Sequence, residues 1–318
     1  MLGGHQAFSV HKFLNNTTGL ILHSLVLVPY HPWRITHAMH HAHTGHVDRD
    51  EVFVPRTRTE KGIPPKGDAS IKKVVKNGIE LDELLEDVPL YRLFWLVMQQ
   101  LVGWPLYLFT NVTSNSSYPE GTNHFLPSSA LFKPHQATDV IVSDISLGLV
   151  IGALVYVGQQ TGGWVTMAKY WLVPYLFVNN WLVAITYLQH TDPALPHYRA
   201  ADWNFQRGAL ATMDRKFFGW VGPYVLHGIT ETHTAHHLVS KIPHYHAWKA
   251  NAALKAYCGP HHFSTDENFL VALWRVYRSC RFIDDEGNTV MMRDSHGRAH
   301  RKVVYENVED SGVDVTEK

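Results

Sequence analysis

Two histidine clusters of the same spacing stand far apart in this chain. His37, His40 and His41 occur as H-A-M-H-H, and His233, His236 and His237 as H-T-A-H-H. On a helix, offsets of three and four residues bring side chains to one face, so each cluster is expected to form a helical surface of imidazoles. Two such surfaces turned toward each other could hold one metal ion or two. Neutral imidazole serves iron, copper, zinc and nickel. One H-x-x-H-H alone carries little information. Two of them, joined by His190 at the exit of an apolar stretch (Tyr187-Leu-Gln-His190-Thr-Asp192), carry far more. No H-E-x-x-H occurs, so a zinc protease would lack its general base. No E-x-x-H pair adjoins the clusters, which argues against a carboxylate-bridged bundle. What remains is a histidine-rich, membrane-embedded site of di-iron type, able to activate dioxygen where an apolar substrate arrives from lipid.

The elements that must position these residues follow from the hydropathy pattern. The chain has 318 residues with 28 Lys+Arg against 28 Asp+Glu, so electrostatics gives no case for a nucleic-acid partner. Histidine, at 23, is the compositional outlier. Cys258 and Cys280 are too few for a disulfide framework or a cysteine-based zinc site. Mean hydropathy is −0.15, so apolar spans must be diluted by substantial polar parts. The N-terminus lacks the basic and apolar regions of a signal peptide.

Residues 1–18 read as polar and turn-rich. Gly19 to Tyr30 is apolar but shorter than the roughly 20 residues a bilayer requires, so it is expected to be an interfacial or buried helix presenting the first cluster. Residues 55–88 read as a charged linker with Pro64-Pro65 and the basic group Lys66, Lys72, Lys73 and Lys76. Three apolar stretches follow: Leu93–Thr110, Val140–Gly158 and Tyr170–Leu188. The last two, separated by a Gly-rich turn over Gln159–Lys169, form the expected transmembrane hairpin. If both clusters build one site, an even number of crossings must separate them. Leu93–Thr110, with Gln99, Gln100, Gly103 and Pro105, is therefore expected to lie in-plane or re-entrant. The basic residues after each cluster place both on the cytoplasmic side.

Longer motifs surround the histidines: His5-Gln-Ala-Phe-Ser9, Val28-Pro-Tyr-His-Pro-Trp33, Gly103-Trp-Pro-Leu-Tyr107, Ile185-Thr-Tyr-Leu-Gln-His-Thr191, Pro193-Ala-Leu-Pro-His-Tyr198, Arg207-Gly-Ala-Leu-Ala-Thr212, Glu231–His237 and Ile242-Pro-His-Tyr245. On these stretches the chain resembles the microsomal fatty-acyl desaturases of the oleoyl Δ12 type, over nearly its whole length to about residue 290. The resemblance implies an all-α integral membrane protein with a transmembrane hairpin and a cytosolic, histidine-rich di-iron cap. It implies removal of two hydrogens from an oleoyl chain esterified to a membrane lipid, using O2 and electrons from cytochrome b5 and its NADH-dependent reductase. No H-P-G-G haem motif occurs, so that donor is expected to be a separate protein.

Carried over residue by residue, the metal ligands are His37, His40 and His41, His233, His236 and His237, His190, and His5 from the family's first box. Gly4 and His5 match the end of that box, whereas Met1, Leu2 and Gly3 stand where a histidine, an acidic residue and a cysteine belong. The preceding hairpin has no counterpart, so an N-terminally truncated or mis-started chain is expected. Thr234 replaces the usual valine of the third box. The desaturase domain is set at 1–290, with a polar tail over 291–318. The endoplasmic reticulum is implied by the resemblance, since no K-D-E-L signal ends the chain. An ω3 or bifunctional desaturase and a fatty acid hydroxylase share every motif quoted. An inactive fragment is the rival of another class. A metal transporter is disfavoured, because its histidines should lie within the spans.

Overall fold

The architecture is that of a computed structural model describing residues 4–63, 85 and 88–303. The basic group Lys66–Lys76, Met1–Gly3 and Val315–Lys318 lie outside the described residues. Most of the described chain is helical: α1 (Lys12–Ser24), α2 (Tyr30–His43), α3 (Pro89–Thr110), α4 (Ala137–Gln160), α5 (Trp164–His190), α6 (Phe205–Leu210), α7 (His233–Leu238), α8 (His244–Cys258) and α9 (Phe269–Ser279). Two minimal sheets pin the connections. Strand β1 (Pro196–Tyr198) pairs antiparallel with β4 (Thr289–Met291), and β2 (Asp214–Arg215) pairs parallel with β3 (Ser264–Thr265).

The apolar stretch around Gly19–Tyr30 is not one helix. The chain leaves α1 at Ser24 and enters α2 only at Tyr30. Leu27 takes a left-handed conformation (φ 51°), and the Val26 and Val28 N–H groups both return to the His23 carbonyl. Pro29 then disfavours helical backbone at Val28 and starts the next helix. Helix starts at Lys12 rather than after residue 18, because Asn15 ties the preceding loop down. It accepts from the Ser9 N–H (2.8 Å) and donates to the Ser9 carbonyl (2.6 Å).

Helices α3, α4 and α5 are each long and apolar enough to cross a membrane. Only 17% of the most apolar window of α4 is buried within the protein, so most of its apolar surface has no protein neighbour. The turn between α4 and α5 is shorter than the sequence implies, confined to Thr161–Gly163, and helix resumes at Trp164. A π-helical turn over Ala168–Leu172 precedes Pro174. Proline cannot donate to the carbonyl four residues back and crowds it, and a wider turn relieves both faults.

Helix α3 is continuous through Pro105. The carbonyl that Pro105 leaves without its helical donor is that of Leu101, and Asn179 of α5 supplies a replacement through its side-chain amide (3.4 Å). The buried asparagine thus bridges two helices, as polar groups between apolar helices do. The core between these helices and α9 contains Leu96, Ala184, Leu188, Leu273 and Val276. The boundary drawn at residue 290 falls inside β4: Val290 and Met292 are buried against Val47 and Ile283, so the chain stays packed beyond it.

Candidate metal centre

Each histidine is held by a different local device. The loop carrying His5 is fixed by Gln6, whose amide donates to Asn16 and to the Tyr30 hydroxyl (both 3.0 Å). Helix α2 carries the first cluster and α7 the second. His190 is the last residue of α5, and its neighbourhood is locked. Arg215 donates to the Leu188 carbonyl (2.8 Å) and to Asp192 (2.6 Å), and Arg275 also reaches Asp192 (2.9 Å). Asp214 organises the start of α7. It accepts from the Thr234 N–H (2.9 Å), the Thr234 hydroxyl (3.1 Å), Asn251 (2.6 Å) and His262 (3.2 Å). The threonine that departs from the family pattern therefore serves the helix, with its hydroxyl on Asp214.

The two sequence clusters do not become two nests of their own. His5, His37, His41 and His236 form one group, and His40, His190 and His237 form another; within each, the ligand-capable atoms all lie within 4.8 Å of one another. Helical geometry explains the sorting. Residues four apart are rotated by about 40° and residues three apart by about 60° the other way. His37 and His41 therefore turn to one nest while His40 turns to the other. On α7, adjacent His236 and His237 diverge by about 100° and divide between the nests. His233 joins through its Nε2, 3.0 Å from that of His190. All eight residues singled out in the sequence converge here.

The bonding assigns tautomers. Asp50 accepts from His40 Nδ1 (2.6 Å), leaving Nε2 aimed at His190 Nε2, 3.3 Å away. The Thr44 hydroxyl gives its proton to the His40 carbonyl (2.7 Å), so it accepts from His237 Nδ1 (2.9 Å) and leaves that Nε2 bare as well. Among the described residues, neither ring nitrogen of buried His41 has a hydrogen-bond partner. Burial drives His5 and His233 down to about 3. Burial likewise holds His37, His41, His236 and His237 well below their ordinary value. Unprotonated imidazoles crowded at these distances, some with orphaned buried nitrogens, are a donor set for metal rather than a hydrogen-bonded core.

Sequence reasoning missed Asp50 and Thr44, which sit past the end of α2 in a turn whose course no periodicity reveals. His227 packs against His244 (5.1 Å between ring centres). His46 and His31 are buried, His43 is half-buried and His11 is exposed. Asn111 is the buried, left-handed C-cap of α3.

A cavity of about 850 Å³ opens beside the nests. His37, His40, His190, His233 and His237 line it, and Trp95, Met98, Val102, Leu182 and Val183 are among its apolar groups. Its size is that of a site for a sizeable organic ligand.

The family model for fatty acid desaturases matches residues 2–269. This chain belongs to the fatty acid desaturase family. It is 49% identical over 291 residues to the Delta(12) fatty acid desaturase of Mortierella alpina, covering 91% of this chain and 71% of the relative. It is 43% identical over 300 residues to an oleate hydroxylase of Claviceps purpurea, covering 88% and 61%. It is 40% identical over 287 residues to an endoplasmic-reticulum omega-6 fatty acid desaturase of Glycine max, covering 90% and 68%. In a desaturase, an apolar cavity lined in part by grouped imidazoles has an immediate chemical meaning.

Proposed function

We propose that this chain is an acyl-lipid desaturase that converts oleoyl to linoleoyl chains by introducing a cis double bond at Δ12. The observation that carries the reading is one apolar cavity meeting histidines of both nests, His37 of the first and His40, His190 and His237 of the second. The Delta(12) relative supplies the regiochemistry.

Two iron ions are the group these residues would hold, His5, His37, His41 and His236 around one and His40, His190, His233 and His237 around the other. When bound, they supply dioxygen activation. In the overall balance, O2 takes two hydrogens from the acyl chain and two electrons with two protons from a donor, leaving two waters and the alkene. The donor we assign is cytochrome b5 with its NADH-dependent reductase. The protein's own work is placement. Methylenes along an acyl chain are chemically alike, so selection must come from how far the chain enters and where the wall bends it. The apolar wall also excludes water from the reacting carbons.

We read α4 and α5 as a transmembrane hairpin of an endoplasmic-reticulum protein, with the nests on the cytoplasmic face. Both ends of α3 support its lying along that face. Near its N-terminus Arg92 shares a pocket with Trp274 and Arg275, and Arg275 reaches Asp192, two residues past His190. Near its C-terminus the Tyr107 hydroxyl donates to the Glu51 carbonyl (3.3 Å), one residue from the Asp50 that holds His40. A helix with both ends at the level of the nests leaves two crossings between the clusters, which satisfies parity.

The test is the fatty-acid profile of yeast lacking polyunsaturates and expressing this chain, beside a His236→Ala control. Linoleate that depends on His236 is expected. A hydroxylated C18 acid in its place would assign the chain to the oleate hydroxylase chemistry. No new acid, with the protein present in the membrane, would sink both.

A further inference from the structure

Between β2 and α7 the chain makes an excursion that is closed at its base and bare at its tip. The base is bonded beside the metal centre. The Arg215 N–H donates to the Thr230 carbonyl (2.7 Å), and the Gln189 amide, next to His190, donates to the same carbonyl (3.1 Å). Thr230 stands three residues before His233. Within the excursion, the ten residues 217–226 read F-F-G-W-V-G-P-Y-V-L and carry no charge.

Phe217 and Leu226 turn back into the core between α5 and α9. Trp220, by contrast, is 81% exposed and Tyr224 76%, and Val225 beside them is exposed as well. The first turn of α9 adds exposed Leu270 and Val271. It meets the excursion through Phe269, whose ring centre lies 5.3 Å from those of Phe217 and of Phe218. Large apolar groups gathered on a surface mark a contact with protein or with lipid.

Depth decides between the two. Phe218 packs edge-on against Trp181 of α5 (4.8 Å between ring centres), and Phe269 lies 5.7 Å from the same indole. Helix α5 has 27 residues, about 40 Å at 1.5 Å per residue, against a hydrocarbon core of about 30 Å. A crossing helix of that length leaves at most about 10 Å outside the core. Trp181 precedes His190 by nine residues, which is about 13 Å along the axis, so it lies inside the core wherever the surplus is placed, and tilt only deepens it. The rings that touch Trp181 therefore stand at the edge of the hydrocarbon. Trp220, two residues from Phe218, is within about 7 Å of that level along the chain. Tryptophan and tyrosine favour this depth, because their rings are apolar while their N–H and O–H groups reach the headgroups.

We propose that residues 217–226, with the first turn of α9, form an interfacial anchor that seats in the cytoplasmic leaflet at the boundary between headgroups and acyl chains. The anchor binds lipid from the side without crossing. Its base is bonded to the segment that leads into α7, so the anchor holds the cap, with both nests, against the bilayer. The proposal rests on the reading of α4 and α5 as a transmembrane hairpin, and the experiment tests that reading separately.

The full chain is reconstituted in phosphatidylcholine vesicles with p-benzoylphenylalanine in place of Trp220, Tyr224 or Val271. A fourth chain carries it in place of Leu149, an exposed apolar residue midway along α4, as the reporter of the hairpin. After irradiation, intact mass identifies what each position touches. Adducts of one phospholipid at 220, 224 and 271 are expected, in yields of the same order as at 149. With the label at 271, the further change Trp220→Asp/Tyr224→Asp is expected to cut the lipid adduct several-fold by lifting this edge of the cap.

Lipid at 149 with none at 220, 224 and 271 overturns the anchor and leaves the hairpin standing. Crosslinks from those three positions to a second copy of the chain overturn it equally, since protein then covers the patch. An unchanged yield at 271 in the aspartate variant refutes the seating of the cap by this tip. Absence of lipid at 149 overturns the hairpin and the anchor with it.

Discussion

Asp50 accepts the Nδ1 proton of His40 at 2.6 Å, and this bond decides which nitrogen of His40 faces His190. Asp50 is itself held by three backbone N–H groups, those of Gly45 (2.8 Å), Glu51 (2.7 Å) and Val52 (3.2 Å). The turn after α2 thus exists as a rigid carboxylate mount. Such partners raise ligand basicity and fix the ring, and their loss typically costs about 10–100-fold in metal affinity or activity. Asp50→Ala should therefore lower both iron per chain and linoleate yield by that order, while Asp50→Asn, still able to accept, should lose less. Iron content by elemental analysis checks it; an Ala variant with full iron and full activity would dismiss the role.

Thr44 gives a second handle, through a glycine in another helix. A Cβ at Gly208 of α6 would come within 2.2 Å of the Thr44 carbonyl and 2.8 Å of the Trp203 indole nitrogen. That indole donates to the same carbonyl (3.1 Å). The first of these obstacles is backbone, so it cannot swing away. Gly208→Ala should displace Thr44, and with it the bond that orients His237. Substantial loss of iron is expected, together with a destabilisation of about 1–3 kcal/mol for overpacking. Thermal unfolding and iron analysis measure the two effects, and a variant as stable and as iron-rich as the parent would refute the close contact.

How much of this centre the sequence made legible depends on the range of each interaction. The convergence of His37, His40 and His41 was readable because helical spacing is local, and so was the apolarity of α4 and α5. The sharing of each nest between clusters was not, since it requires the relative rotation of α2 and α7, which no spacing encodes. His5 was reachable only through family resemblance: its position depends on Gln6, Asn15 and Tyr30 closing a loop of no fixed period. The break between α1 and α2 was missed because a left-handed Leu27 has no sequence mark. The pairing of Asn179 with the carbonyl freed by Pro105 was not legible either, since it depends on how α3 and α5 cross.

The buried imidazoles also make stability depend on pH. In the unfolded chain they titrate near 6.5. In the fold, His5 and His233 lie at about 3, and His37, His41, His236 and His237 well below their ordinary value, mainly through burial. The depressed folded values mean that the unfolded state binds more protons between about 3 and 6.5. Stability is therefore fully present above about 6.5 and falls as pH drops through that window. The metal-free protein in detergent should unfold at a constant temperature from pH 8 to 7 and at progressively lower ones below 6.5. His5→Ala should flatten part of that slope. A melting temperature that stays constant down to pH 4 would contradict the neutral, desolvated centre.

Gly103 allows the cavity to be tested apart from the metal ligands. It lines the cavity on α3, and the atoms nearest to a Cβ there would be those of the Gln99 and Val183 side chains, at 3.7–3.9 Å, which is ordinary contact. Gly103→Ala should fit and, as a helix-interior replacement, stabilise by up to about 1 kcal/mol. A leucine has no such room and must project into the path of the acyl chain. Gly103→Leu should therefore retain iron and helical content yet lose most linoleate formation, with the loss easing for shorter monounsaturated chains. Product profiles from yeast expressing both variants, read against iron per chain, distinguish a blocked cavity from a broken centre. Full activity in the leucine variant would place the acyl path elsewhere, because a side chain of that size cannot share this section of the cavity with an extended hydrocarbon.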